Sequence, residues 1–316
     1  MEKICVLIPV YNSEKTIYDL CSSLMKVFAD KMNFKLVLVN DGSRDNSAQV
    51  CKQLYREYPG LVTYVELARN FGEHNALMAG LYHVTGDYCI MMDDDLQNPP
   101  EEARKLIGEI LKGYDVVYTD YQDRQDPLLR KLGSYLNDMV AGIVLKKPAG
   151  LYLSSFKIIN RFLINEIIKY DGQSPYIDGI ILRSTNRIGS VEVNHLSRRH
   201  GQSGYTLAKL VSLWSSMALN FSLIPLRIIG LLGVLLTSGS LAFAAHRRFF
   251  DPPFDPLTDL EWVMVVQLFL IGLLFFGIAL LAEYVGRMYL FINRQPQYIV
   301  REVLSNDQAL LNKIQG

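Results

Sequence analysis

Three consecutive aspartates, Asp93-Asp94-Asp95, end a hydrophobic run (Tyr88-Cys89-Ile90-Met91-Met92) and lead directly into Leu96-Gln97-Asn98-Pro99-Pro100-Glu101. Apolar residues, then carboxylates, then Pro-Pro read as a buried strand, a loop, and a helix starting behind the prolines. Residues i and i+2 of a strand face the same way, so Asp93 and Asp95 are expected to aim at one point while Asp94 looks elsewhere. Two converging carboxylates repel each other unless a cation lies between them. A hard ion such as Mg2+ or Mn2+ suits that donor set and commonly shares its remaining positions with substrate phosphates. An acidic turn capping the next helix is the simpler alternative.

The elements that must position these acids alternate along the first part of the chain. Strands are predicted at 4–10, 35–40, 61–66, 87–93 and 115–119, with helices near 14–29, 46–57, 73–84 and 100–112. That alternation implies an α/β fold with a mostly parallel sheet covered by helices. Ligands of such sheets bind beyond the C-terminal ends of the strands. Polar groups stand at those ends: Tyr11-Asn12-Ser13-Glu14, Asp41-Gly42-Ser43, and Asp93 to Gln97. No GxGxxG follows the first strand, which removes the main support for a dinucleotide-binding dehydrogenase. No Ser/His/Asp or Cys/His set stands out as a protein nucleophile, and His74 and His83 read as structural.

With 32 basic and 32 acidic residues the net charge is zero, so nothing global points to nucleic acid. Cys5, Cys21, Cys51 and Cys89 form no CxxC pair and read as packed thiols of a reducing compartment. The first apolar stretch is too short for a signal peptide, so the N-terminus is expected in the cytoplasm. The C-terminal third differs in kind. Residues 228–245 carry no charge, and 262–282 are apolar except for Gln267. Each approaches the ~20 residues that cross a bilayer core as a helix. Arg198, Arg199, Lys209 and Arg227 precede the pair, Arg287, Arg294 and Arg301 follow it, and only Arg247 and Arg248 lie between. That asymmetry places both chain ends in the cytoplasm and the loop outside. Before the first span, Leu207, Leu210, Val211, Trp214, Met217 and Phe221 recur at helical spacing opposite Lys209, Ser212, Ser216 and Asn220, as in a helix lying in the interface. The expected domains are a catalytic unit at 1–205, the interfacial helix at 206–223, a transmembrane pair within 224–292, and a cytoplasmic tail at 293–316.

Ile8-Pro9-Val10-Tyr11-Asn12, Val39-Asn40-Asp41-Gly42-Ser43, Arg69-Asn70-Phe71-Gly72 and the Asp93–Glu101 stretch resemble family 2 glycosyltransferases of the GT-A fold. Within these, the chain is similar to the polyisoprenyl-phosphate glycosyltransferases, which include dolichol-phosphate mannose synthases and bacterial undecaprenyl-phosphate glucosyl- and aminoarabinosyltransferases. Ala282-Glu283-Tyr284-Val285-Gly286-Arg287, running on to Arg294-Gln295-Pro296-Gln297-Tyr298, resembles the bacterial members in particular. The resemblance implies a nucleotide-sugar donor, with UDP favoured over GDP, and a membrane polyisoprenyl phosphate as acceptor. It also implies an inner-membrane enzyme serving cell-envelope glycan modification, with a homo-oligomer as the expected assembly. Carried over by position, Pro9, Tyr11, Val39 and Asp41 surround the nucleoside, and Glu14 stands in for a Glu found one position earlier in relatives. Asp93, Asp95 and Gln97 hold the metal, Asp94 joins the donor-binding set, and Arg198 faces phosphates. Arg124, Arg130 and Lys131, with Ser203, meet the lipid phosphate; Arg124 and Arg130 join Asp93 and Asp95 as the residues implied in catalysis. Bidentate Arg is well suited to that work.

Four positions depart from the family pattern: Ser13, Tyr121, Ser155 and Gly204. Ser155 stands where many relatives have an Asp considered as a base. The chemistry tolerates that loss, because a phosphate monoester has a second pKa near ~6 and is already largely dianionic at neutral pH. A processive polysaccharide synthase is the competing enzyme reading, but neither Trp214 nor Trp262 lies in a Gln-x-x-Arg-Trp element. A non-catalytic nucleotide-sugar-binding scaffold is the competing reading of another class, and turnover by purified protein separates it.

Overall fold

An uninterrupted apolar run makes β1 (Lys3–Val10) the centre of the sheet: Ile4, Val6, Ile8 and Val10 point to one face, while Cys5 and Leu7 point to the other, all buried. The computed structural model describes residues 2–28, 33–121, 147–148, 150–172, 175–194, 196, 231, 235, 239, 256–292 and 296–306. The strands that follow are β2 (Asn33–Asn40), β3 (Val62–Leu67), β4 (Tyr88–Met91), β5 (Val116–Tyr121), β6 (Lys157–Asn160), β7 (Ile188–Val193) and β8 (Val300–Leu304). They form one sheet of order β7-β5-β6-β4-β1-β2-β3-β8.

The central β3-β2-β1-β4 block is parallel, as the alternation predicts. The flanks are not. β6 runs antiparallel to both β4 and β5, and β8 runs antiparallel to β3, so the sheet is mixed. Three strands are absent from the sequence reading. β6 is only four residues long and carries Lys157, β7 is interrupted by the adjacent Gly189 and Ser190 and by Glu192, and β8 lies in the segment read as a tail.

Helices α1 (Ile17–Phe28), α2 (Ser47–Glu57) and α4 (Ala103–Ile110) bury apolar stripes beside the face formed by Ile4, Val6 and Ile8. A 3-10 turn, Pro100–Glu102, precedes α4, where the prolines supply the restricted φ of a helix start. The opposite face receives α3 (Glu73–Leu81), which packs on β1 and β2. Gly80 permits that approach: a Cβ there would lie 2.1 Å from Leu7 Cδ1 and 2.9 Å from Val39 Cγ2. Overpacking of this kind costs about 1–3 kcal/mol. Two short helices, α5 (Arg161–Ile167) and α6 (Ile177–Ser184), complete this side, and Asn160 caps α5 by accepting from Leu163 N–H. All four cysteines are free and buried, and burial pushes the thiols of Cys5 and Cys21 up to about 12, so they are unreactive packing groups.

Contacts divide the chain into Met1–Leu210 with Pro296–Gly316, and Val211–Gln295. The segment from Pro296, which carries β8, therefore belongs to the first unit and is not a separate tail. In the second unit, α7 (Pro256–Ile292) runs for 37 residues and contains the span expected at 262–282. At 1.5 Å per residue it is about 56 Å long, well beyond the ~30 Å of a hydrocarbon core. Its segment Phe269–Gly286 has a mean hydropathy of 2.1 and is long and apolar enough to cross a membrane. Phe269, Leu274, Phe276 and Leu281 are all exposed along it. The span expected at 228–245 lies outside the described residues, except for Leu231, Leu235 and Gly239, each helical. The interfacial helix at 206–223 lies outside them altogether. Glu283 is exposed on α7, and the side chain of Arg287 is outside the described set.

Candidate functional site

The loops after β1, β2 and β4 meet at the C-terminal edge of the parallel block. Asp41, just beyond β2, is buried, and its carboxylate accepts from the N–H groups of Phe71 (2.7 Å) and Gly72 (2.9 Å). Those groups stand at the start of α3, where the helix dipole favours an anion. Desolvation raises the Asp41 pKa, and the two backbone bonds oppose the rise. Asn70 Nδ2 donates to Asp41 O at 3.2 Å, closing the same turn. Gly42 has φ +62, and a Cβ there would lie 2.4 Å from the carbonyl carbon of Arg69, so only glycine fits between the two loops.

β4 ends at Met91, and the Asp triplet lies in the loop beyond it, where the chain turns at Leu96 with φ 62. The loop, and not strand alternation, sets where each of the three acids points. Asp94 turns back to β1, accepting from Tyr11 N–H at 3.1 Å and from the Ser13 hydroxyl. Asp93 accepts from Ser155 Oγ at 2.5 Å. Asp95 accepts from Gln97 N–H at 3.1 Å. Burial and the negative charge of Glu73 push Asp93 up to about 7, with Asp95 adding to the rise. Burial pushes Asp94 to about 6 against the Ser13 and Tyr11 bonds.

Glu73 opens α3 and keeps an edge exposed at the site. Desolvation raises its pKa, Lys157 lowers it, and Asp178 raises it again. Lys157 is buried in β6 and pairs with Asp178 at the start of α6. Tyr118 donates to the same Asp178 oxygen at 2.9 Å, and its ring lies 5.2 Å from the Lys157 ammonium. Sequence reasoning missed Glu73, Lys157 and Asp178. The available signal was a lysine inside the apolar run Phe156-Lys157-Ile158-Ile159, since lysine is seldom buried without a partner.

The structure brings Tyr11, Asp41, Asp93, Asp94, Asp95 and Gln97 to one edge, with Pro9 and Val39 paired in adjacent strands beneath them. Tyr11 is exposed there. Glu14, expected at the nucleoside, accepts from Asn46 N–H at 3.0 Å and so braces the β1 loop against α2. Tyr121 donates to Asn98 Oδ1 at 3.1 Å and packs edge-on to Tyr152. His83 is buried, and His74 lies edge-on to Tyr176 with ring centroids 5.2 Å apart. Arg124, Arg130, Lys131, Arg198 and Ser203 lie outside the described residues, as does Gly204.

Asp93, Asp95 and Gln97 offer oxygen donors, the set a hard divalent cation prefers. Among the described residues no three His, Cys, Asp or Glu side chains are grouped to hold a metal unaided. Gln97 is fixed by pairing with Leu196: Leu196 N–H donates to Gln97 O at 2.9 Å, and Gln97 Nε2 donates to Leu196 O at 3.3 Å.

The fold is similar to a mycobacterial protein of known structure, with a TM-score of 0.53 and 17% identity over 69% of this chain and 73% of the other. It is also similar to glucosyl-3-phosphoglycerate synthase from Mycobacterium tuberculosis in complex with UDP: TM-score 0.51, 19% identity, 70% of this chain and 79% of that one. The same synthase in complex with Mn2+, UDP-glucose and phosphoglyceric acid matches at 0.51 and 18% identity, over 70% and 78%. Identities this low establish a shared fold. Residues 5–175, more than half of the chain, match the sequence profile described as Glycosyl transferase family 2. With the carboxylate-lined strand edge in place, that match identifies the chain as a member of glycosyl transferase family 2.

Proposed function

We propose that this protein transfers a sugar from a nucleotide sugar, with UDP the favoured nucleotide, to a polyisoprenyl phosphate such as undecaprenyl phosphate, with inversion. The observation that carries the reading is the coexistence, in one family 2 chain, of the Asp93–Asp95 loop and the apolar segment Phe269–Gly286. A soluble acceptor needs no such segment. The synthase complexes with UDP and with Mn2+ and UDP-glucose support the same donor class on this fold. The catalytic unit then works at the cytoplasmic face of the inner membrane, supplying a lipid-linked sugar to the cell envelope as a homo-oligomer.

In this mechanism a lipid-phosphate oxygen attacks the anomeric carbon as the bond from that carbon to the nucleotide diphosphate breaks, and the configuration inverts. The phosphate is largely dianionic at neutral pH, so the nucleophile has no proton to lose. That is why Ser155 can occupy a position where relatives carry an acid. Asp93, Asp95 and Gln97 would hold Mg2+ or Mn2+, which when bound stabilises negative charge on the departing diphosphate. Ser155 fixes the Asp93 carboxylate through its hydroxyl, and Asp94 holds the Tyr11–Ser13 turn that forms the floor of the donor side. Arg124, Arg130, Lys131 and Arg198 supply cationic groups for phosphate, with the lipid tail remaining in the bilayer. Purified protein with undecaprenyl phosphate and a panel of nucleotide sugars, read by mass detection of the lipid product, tests this. Transfer to a soluble acceptor with none to the lipid would overturn it.

A further inference from the structure

The segment after α7 does more than trail from the helix. β8 pairs with β3 through Tyr64↔Leu304, Val65↔Val303, Glu66↔Glu302 and Leu67↔Val300, with an irregularity that leaves Arg301 as an extra residue. A bulge re-aims the side chain it displaces, and here the Arg301 guanidinium donates to Ala68 O at 3.2 Å. Ala68 N–H donates to Ile299 O at 2.8 Å. Both backbone groups of Ala68 are therefore held by the C-terminal segment. The next residues are Arg69-Asn70-Phe71-Gly72, the turn that Asp41 closes through Phe71 and Gly72 and that Gly42 meets at contact distance.

The remaining contacts show a built junction. Glu66 and Glu302 lie opposite each other, a pairing that like charges disfavour. Lys52 of α2 joins both, at 3.0 Å and 2.7 Å. Thr63 and Ser305 share a buried hydroxyl contact at 3.2 Å, and Tyr55 donates to Asn306 at 2.7 Å. Ahead of the strand, Gln297 Nε2 donates to Tyr170 O at 2.8 Å, which gives the Pro296-Gln297-Tyr298 motif a structural task.

We infer that Ile299 and Arg301 are positioning residues for the donor site: by holding Ala68, they set the Arg69–Gly72 turn against Asp41. This rests on the donor reading above. It also orders assembly, because β8 is synthesised after α7. The donor side of the sheet is thus complete only once the apolar helix has been made.

The test uses the full chain in nanodiscs with Arg301→Ala, its conservative control Arg301→Lys, and Val300→Pro, which removes an N–H and strains β8. Hydrogen exchange of peptides covering 66–74 is followed beside donor and acceptor kinetics. Loss of the clamp should speed exchange at Phe71 and Gly72 by roughly tenfold, with peptides of β1 and β4 unchanged. The donor KM should rise several-fold with kcat and acceptor KM little altered, and Arg301→Lys should recover part of the loss. Unchanged exchange at 69–72 in Arg301→Ala overturns the clamp, whether or not Val300→Pro folds. Faster exchange with an unchanged donor KM overturns the positioning role while leaving the donor reading intact. Absence of any nucleotide-sugar turnover in the unmodified protein defeats the donor reading instead, and exchange still decides the clamp.

Discussion

On the β1–β2 side of the site, Asp41 accepts two backbone N–H bonds, and Asp94 accepts one more together with the Ser13 hydroxyl. On the β4–β6 side, Asp93 accepts from Ser155 but faces Glu73 and Asp95, whose charges raise its pKa along with burial. The first pair of acids holds loops in place. The second group gathers Asp93, Asp95 and Glu73 with Lys157 beside them, so each acid's charge bears on its neighbours. A carboxylate can therefore brace a loop or face other acids within one strand edge, and its surroundings separate the two roles.

The strongest way to break this comparison is to remove one acid from each side. Asp95→Ala should lower turnover on the order of a thousandfold, the scale of several kcal/mol of transition-state stabilisation, while the thermal midpoint stays near that of the unmodified protein. Asp41→Asn presents an amide N–H to one of the two donors it now accepts. It should destabilise the Arg69–Gly72 turn by about 1–3 kcal/mol and lower the midpoint. Steady-state kinetics and melting curves in detergent read both. If Asp95→Ala unfolds the protein and Asp41→Asn only slows it, the assignments are reversed.

A smaller effect sharpens the chemical side. Lys157 and Asp178 are both buried, and Tyr118 completes the carboxylate. Lys157→Met leaves Asp178 buried without its cation, a loss of about 3–5 kcal/mol for a broken buried pair. Lys157→Met combined with Asp178→Asn should recover much of that stability, since both charges are then gone. Turnover should remain low in the double variant, because Glu73 and Asp93 still lack their cation. Full recovery of activity with stability would make Lys157 purely structural.

The sequence made one half of this site more legible than the other, for physical reasons. Asp41, Asp93 and Asp95 follow continuous apolar runs, Leu36 to Val39 and Tyr88 to Met92, that lead straight into polar turn residues, so their place at the strand edge could be read directly. Lys157 lies in a four-residue strand too short to show a period, and its burial depends on Asp178, 21 residues away. Glu73 is concealed by an ordinary pattern, an acid in the first turn of a helix. β8 is harder still: Val300-Arg301-Glu302-Val303-Leu304 carries two charges and follows a membrane-like helix, so nothing local links it to β3, whose partner residues are more than 200 positions earlier. Short-range patterns mark elements that bury their own faces. They do not mark elements whose partners are remote.

The smallest effect concerns His74, which shares α3 with Glu73 on the crowded side. Desolvation lowers its pKa from 6.5 to about 4, with Lys157 adding to the fall and Asp178 opposing it. The unfolded chain takes up a proton near pH 6.5, while the folded chain resists until about pH 4. The contribution is therefore present above pH 6.5 and is lost as pH falls toward 4. Asp93 and Asp94 have the opposite sign. Their folded values, about 7 and about 6, lie above the ordinary 3.8, so their contribution is present at low pH and is lost as pH rises through those values. Replacing His74 with Phe keeps an aromatic edge toward Tyr176 and removes only the titrating imidazole. Between pH 6.5 and 4 the thermal midpoint of His74→Phe should fall less steeply than that of the unmodified protein, with the two nearly equal at pH 7.5. Parallel curves would mean that the His74 ring protonates as freely as in water, and the enclosure of this side of the site would be less than its geometry indicates.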